Sequence, residues 1–429
     1  MFKSQSRRAL PLAAALFTAL LTACGGGSAT REAPAATCPT TPTSATTSAP
    51  PSCPLCPQCG AAAGSQVPAA KPLQAARWNE LPGWGDDDLA AAWPTFLLSC
   101  RALVSRPQWP QWKSVCEEAK GLASPSTAAV RRFFESRLQP WLLTNADGTT
   151  SGLITGYYEP LLRGSRTRGK PYLQPVLGVP ADLLTIDLAS VLPDLKNMRL
   201  RGRLEGHRVV PYFSRSEITN REKDSADRAL LWVDDPVELF FLQVQGSGRV
   251  KLADGSTTRL AYADQNGHPY QSIGRVLVDR GELTLEQASM QGIKQWARAN
   301  PTRVNELLNA NPSYVFFREQ PLKGNGSVGT DGPEGPSGAL GVPLTPERSI
   351  AVDPKHVALG TPVFLSTSQP ESATPLRRLV LAQDAGGAIR GAVRADLFWG
   401  FGAAAGAQAG RMKQSGQMWL LLPPGAAPK

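Results

Sequence analysis

The 429-residue chain lacks several signatures that would assign it quickly. Beyond its first two dozen residues no apolar run is long enough to cross a bilayer as a helix, which excludes a multi-span membrane protein. The glycine-rich stretch 323–341, KGNGSVGTDGPEGPSGALG, has no Gly-Lys-Ser/Thr ending of a phosphate loop. Nucleotide binding is therefore not expected there, and the stretch reads as a mobile connector or lid. Cys53, Cys56 and Cys59 have metal-like spacing but no fourth ligand close by, and they lie in a Pro/Ala/Thr/Ser-rich tract. Structural zinc is not expected from them.

What is present begins with an export signal. Lys3, Arg7 and Arg8 precede an apolar run from Leu10 to Leu21, and Leu21-Thr22-Ala23-Cys24 follows. The run is too short for a comfortable membrane span, and small residues before a cysteine suit cleavage ahead of Cys24. Residues 1–23 are thus expected to be a lipoprotein signal peptide, with Cys24 lipidated. Gly25 rather than an aspartate after the cysteine resembles outer-membrane sorting. Losing Lys3, Arg7 and Arg8 lowers the formal net charge from +10 to +7, so the remainder stays basic. An exported, anchored protein rarely meets nucleic acid, which leaves the acidic cell wall and anionic headgroups as partners, or simply a solvated surface. Residues 24–75 are too poor in apolar side chains to form a core and read as a disordered tether. Cys100 and Cys116 flank helical pieces in an oxidising compartment, and a disulfide between them is expected.

From Trp78 onward the chain is long enough for two domains. Asp86-Asp87-Asp88 before Leu89 reads as helix-start chemistry. Ser124-Pro125 is expected to cap a helix that buries Val130, Phe133, Phe134 and Leu138 and stops by Pro140. Short apolar runs at 172–176, 209–213, 230–233, 238–244 and 249–252, broken by Gly, Pro and Asp, suggest a barrel or compact sheet. Tyr157 and Tyr158 offer faces on which sugars stack, although such a pair in a strand is often half core. Gln243 and Gln245, taken as strand residues, would face one polar groove. Thr284 with Gln287 forms a capping box and is expected to start a helix that buries Met290, Ile293 and Trp296. Asn300-Pro301 starts another, ending near Asn311-Pro312. Runs at 349–354, 359–365 and 417–422 supply strands of an all-β C-terminal unit.

Chemistry concentrates at 379–402, LVLAQDAGGAIRGAVRADLFWGFG. A buried strand, Leu379 to Ala382, leads to Asp384; Gly386, Gly387 and Gly391 allow close backbone approach; Asp396 runs directly into Leu397, Phe398 and Trp399. A carboxyl beside bulky apolar groups is desolvated, which raises its pKa and suits it to proton donation.

GYYEP at 156–160, PYFSR at 211–215, QVQGSG at 243–248, GHPYQSIG at 267–274, NPSYVFF at 311–317 and the 379–402 stretch occur in that order. Together they resemble the membrane-bound lytic murein transglycosylase A family across roughly 76–425. The resemblance implies a mainly β fold with flanking helices in two domains. A double-psi β-barrel (3D-type) domain, from 76–160 and 321–429, would carry an inserted smaller β-rich domain at 161–320 across a deep groove. The three aspartates of the 3D domain would be Asp353, Asp384 and Asp396. The implied reaction is non-hydrolytic cleavage of the β-1,4 bond between N-acetylmuramic acid and N-acetylglucosamine, leaving a 1,6-anhydro ring, with no metal or cofactor. Asp396 would be the acid and base, Asp384 its support and Asp353 structural, while Thr155, Tyr157, Gln243, Gln245 and Ser247 line the groove. Implied partners are peptidoglycan glycan strands, the outer membrane through the lipid on its periplasmic side, and cell-wall synthesis or scaffolding proteins. A hydrolytic glycosidase and a non-catalytic wall-binding lipoprotein remain the alternatives.

Overall fold

The computed structural model describes residues 72–426 apart from 196, 197, 199, 222–227, 321 and 323–334. Cys24, Cys53, Cys56, Cys59 and most of both the expected tether and the glycine-rich connector lie outside the described residues. Among the described residues no helix is long and apolar enough to cross a membrane.

Three strands come early: β1 (Leu73–Ala75), β2 (Gln139–Leu143) and β3 (Gly152–Glu159). Next in the chain are β4 (Leu161–Ser165), β5 (Gln174–Leu177), β6 (Leu184–Ile186), β7 (Leu200–Glu205) and β8 (Arg208–Pro211). They are followed by β9 (Ala229–Val233), β10 (Ser247–Leu252), β11 (Thr257–Gln265) and β12 (Val315–Gln320). The C-terminal part adds β13 (Ser349–Val352), β14 (Pro362–Ser368), β15 (Pro375–Asp384), β16 (Ala395–Phe401) and β17 (Lys413–Leu422). One sheet has the order β12-β11-β10-β4-β9-β5, and a small one β6-β7-β8. The largest runs β1-β2-β17-β14-β15-β13-β16-β3, and β3 pairs back onto β17, so six of its strands close a hydrogen-bonded ring. The fold is therefore β-rich with helices, and β3 enters the ring from far upstream in sequence.

The ring is held from outside by the helix Leu89–Leu103, which packs on β15. Leu89, Ala92, Trp93, Phe96, Cys100 and Leu103 follow helical spacing and are all buried. They meet Phe133 and Phe134 of the helix Thr127–Arg137 in a cluster of tilted and edge-on rings. With neighbours on both sides, Leu379 to Gln383 of β15 are buried without alternation. A Cys100–Cys116 disulfide, Cα–Cα 5.4 Å, joins this helix to Trp109–Lys120, as expected. Where the helix begins, Asp87 forms a buried ion pair with Arg348 at 2.8 Å and accepts the Leu379 N–H at 2.7 Å. The aspartate run does precede the helix, with Asp88 at its N-cap position, and Asp87 adds a clamp between helix and ring.

Several local expectations need correction. The run 238–244 is not a strand but part of the helix Pro236–Gln245. Asp235 accepts the Val237 and Glu238 N–H groups, Pro236 opens the first turn, and Gly246 ends the helix at φ 78°. The period was obscured because Phe240 and Phe241 enter one apolar cluster while Leu239 and Leu242 enter another. Thr284 and Gln287 do exchange capping-box bonds, at 3.3 and 3.0 Å. The helix nevertheless starts at Met290, capped by Ser289. Ser126, not Ser124, caps Thr127–Arg137.

Replacing Asp87 by Asn leaves Arg348 buried without its counter-charge and is expected to cost about 3–5 kcal/mol in urea unfolding. Adding Arg348→Met should recover part of that loss, and a loss below about 1 kcal/mol for Asp87→Asn would show that the pair does not clamp the ring.

Candidate active site

Two chain segments about 240 residues apart build one cluster. β16 runs parallel to β3 with Asp396 opposite Thr155 and Phe398 opposite Tyr157. β13 lies on the other side of β16, with Ala351 opposite Asp396, and the same Ala351 stands opposite Asp384 of β15. Thr155 and Tyr157, two apart on one strand, point the same way. Thr155 Oγ1 donates to Asp396 Oδ1 at 2.7 Å and Tyr157 Oη donates to Asp384 Oδ2 at 2.9 Å. Asp384 Oδ1 also accepts the Ala339 and Ala385 N–H groups, each at 2.9 Å. Ala339 escaped the sequence reading because a backbone donor leaves no residue-type signal.

The two carboxyl groups occupy different surroundings. Burial lifts Asp396 from the ordinary carboxylate range to about 6. The Thr155 hydroxyl and the Arg394 charge pull it down, while the Asp384 charge pushes it up. Leu397 and Phe398 beside it are fully buried, as the sequence led one to expect. Arg394, two residues upstream and likewise missed, is itself drawn below the usual guanidinium range by desolvation. Tyr157 is pushed well above its usual value, first by burial and then by the Asp384 charge, so its hydroxyl keeps its proton and donates.

The tyrosines differ from their expected role. Tyr157 packs its ring on Phe398 at a centroid distance of 5.2 Å, in an apolar cluster with Leu344, Ala351 and Ile389. Tyr158 is buried against Ala405 and Ala409. Neither ring is an open stacking face. Gly156, directly before them, lets Trp399 and the helix Gly402–Arg411 pack close against β3, because a Cβ there would lie 2.6 Å from Trp399 Nε1 and 2.9 Å from Ala409 Cα.

Other expected site residues divide. Gln245 Oε1 accepts the Tyr158 N–H at 3.1 Å, which ties the end of the helix Pro236–Gln245 to β3. Gln243 is buried and accepts from Arg215 Nη1 at 2.6 Å, so it belongs to a polar knot in the core rather than to a strand face shared with Gln245. Ser247 opens β10 opposite Ala261. Asp353 is buried and accepts the Gly391 N–H at 3.0 Å, which fixes the turn between the two other aspartates. Gly391 has φ 111°, a conformation that glycine tolerates best. A Cβ on Gly386 would press on Ile389, whereas one on exposed Gly387 would meet nothing. The cluster can thus present a carboxyl that keeps its proton up to about pH 6 next to a second, firmly hydrogen-bonded one.

The chain is similar to known proteins in both sequence and structure. The family model "MltA specific insert domain" matches residues 153–318, and the "3D domain" model matches 348–422. Membrane-bound lytic murein transglycosylase A of Escherichia coli K12 is 32% identical over 315 residues, 71% of this chain and 74% of that protein. The crystal structure of MltA from Neisseria gonorrhoeae superposes with TM-score 0.70 at 39% identity, covering 83% of this chain and 94% of that one. E. coli MltA with bound chitohexaose superposes with TM-score 0.61 at 26% identity, over 82% and 95% of the two chains.

An acid whose folded pKa is raised stabilises the fold only while protonated, so Asp396 costs stability progressively as pH rises from its ordinary value, 3.8, to about 6, and in full above that. Asp396→Asn keeps an acceptor for Thr155 and removes that charge. The variant is expected to be more stable than wild type at pH 7.5, by about 2 kcal/mol. The gain should fade as pH falls from about 6 to 3.8, and thermal melts at pH 7.5 and near pH 4 will read it. Equal stability of the two proteins at pH 7.5 would mean that the carboxyl is not desolvated.

Proposed function

The chain belongs to the membrane-bound lytic murein transglycosylase A family, and from that membership we propose that Asp396 is the single acid and base of its reaction. The protein is a peptidoglycan lytic transglycosylase. The observation that carries the assignment is the raised Asp396 carboxyl, which keeps its proton to about pH 6 and accepts from the Thr155 hydroxyl.

In the proposed step Asp396 gives its proton to the glycosidic oxygen as the bond from that oxygen to the anomeric carbon breaks. Positive charge develops on the sugar ring, and Asp384, held by Tyr157, Ala339 and Ala385, faces that charge as a fixed acceptor. The C6 hydroxyl oxygen of the same muramic acid residue then bonds to the anomeric carbon, and its proton passes to the Asp396 carboxylate. The acid is regenerated, no water is consumed and a 1,6-anhydro end results. One carboxyl suffices because attack and departure share one proton carrier, unlike a hydrolase that must also activate water.

The same reading extends to the molecule's organisation. We take the closed ring as the double-psi barrel of a larger domain, 76–160 with 321–429, and 161–320 as the inserted domain, with the glycan lying in a groove between them. Thr155, Gln245, Ser247, Gly386 and Gly387 line it, and the binding of chitohexaose by the E. coli relative supports a glycan there. Cys24 carries the lipid that anchors the enzyme to the outer membrane, facing the wall.

Purified murein digested by wild type and by Asp396→Asn, and read by mass spectrometry, tests the reading. Wild type should release products with 1,6-anhydro ends, and Asp396→Asn should be slower by at least roughly a hundredfold. Reducing ends alone would indicate a hydrolase, and binding without any cleavage by wild type would indicate a wall-binding lipoprotein.

A further inference from the structure

In the parallel pairing of β13 with β15, Ser349 stands opposite Leu381 and Ile350 opposite Ala382, but Ala351 stands opposite Asp384. Gln383 is skipped, which makes it the extra residue of a β-bulge directly before Asp384. A bulge bends its strand and re-aims the side chains that follow, at the expense of regular pairing, so something must hold it.

Gln383 is fully buried, and its amide is engaged on both ends. Nε2 donates to Thr95 O at 3.0 Å and to Ser99 Oγ at 2.9 Å, both on the helix Leu89–Leu103. Oε1 accepts from Ser349 Oγ of β13 at 2.7 Å. The Ser349 hydroxyl in turn accepts the Thr345 N–H at 2.8 Å, and Thr345 Oγ1 accepts from Thr95 Oγ1 at 2.9 Å. The Gln383 carbonyl accepts the Leu340 N–H at 2.9 Å, next to Ala339, whose own N–H reaches Asp384. The Gln383 side chain therefore joins the helix to β13, and its backbone carbonyl holds the 338–345 segment, all at the residue before Asp384. An apolar side chain of the same size would fill the volume but remove the three bonds of this amide from buried polar groups.

We infer that Gln383 is a positioning residue, whose buried amide pins the bulge so that the Asp384 carboxyl stays beside Asp396. It does not touch substrate. The inference rests on the proposed roles of Asp396 and Asp384. It has a signature that packing alone would lack. The charged groups acting on Asp396 are Asp384, which pushes it up, and Arg394, which pulls it down. If the bulge relaxes and Asp384 drifts away, its push weakens. Asp396 then loses its proton at lower pH, and the alkaline limb of kcat moves down.

The experiment measures kcat, KM and the pH–rate profile on soluble murein glycan strands for wild type, Gln383→Leu, Ser349→Ala and Asp396→Asn. Gln383→Leu is expected to lower kcat roughly ten- to hundredfold with KM within about twofold. Its alkaline limb should move down by a few tenths of a pH unit. Ser349→Ala, which removes one bond to the amide, should shift both in the same direction by less. A folded Gln383→Leu that loses kcat with an unmoved limb, or that keeps wild-type kcat, overturns the positioning role. If Gln383→Leu does not fold, an unaltered kcat and limb in Ser349→Ala overturn it instead. Wild-type cleavage by Asp396→Asn would sink the parent reading, whereas an inactive Asp396→Asn beside wild-type behaviour of the other two variants sinks only this one.

Discussion

Ala351 stands in register with two aspartates at once, Asp384 on one neighbouring strand and Asp396 on the other. That shared register is the constraint on which the rest of the structure depends. It requires a parallel neighbour on one side and an antiparallel one on the other, so the strands cannot follow each other by hairpins alone. It also requires β3 to arrive from more than 200 residues upstream and bring Thr155 and Tyr157 to the two carboxyls. The helix Leu89–Leu103, the Asp87–Arg348 pair and the Cys100–Cys116 disulfide all brace the outside of this ring. Their contribution to chemistry is rigidity at the ends of β13 and β15.

Environment separates the two acids. Asp384 receives at least three donors, two from backbone and one from a tyrosine that keeps its proton. Asp396 receives one hydroxyl and is otherwise pressed among buried apolar neighbours. The group with the fewer donors is the one that holds a proton near neutrality, which is the usual physical basis for dividing acid from support. Ionised Asp396 is a liability for folding, and the surrounding clamps offset it, a common balance between activity and stability.

Much of this was legible in residue types. A buried strand running into Asp384, glycines in the turn and Leu-Phe-Trp after Asp396 signalled a desolvated acid, and the ordered blocks from 156 to 402 signalled the family. The disulfide was visible from cysteine placement and compartment. What was not legible depends on contacts remote in sequence. The helix Pro236–Gln245 read as a strand because both its sides are buried, which erases the 3.6-residue period, although Asp235-Pro236 and Gly246 marked its ends. Tyr157 read as a sugar platform, since no local pattern tells that its ring is covered by Phe398 and its hydroxyl taken by Asp384. The bulge at Gln383 is a property of register, and register is invisible until the partner strand is known.

The central claim is that the folded protein, before any glycan binds, already holds Asp396 as an acid with its proton retained to near neutral pH. The most direct measurement is a carbon-13 NMR titration of aspartate carboxyl groups in the folded enzyme, with Asp396→Asn used to assign the signal. The account predicts a midpoint near 6 for Asp396. A midpoint at the ordinary aspartate value, about 3.9, would contradict it.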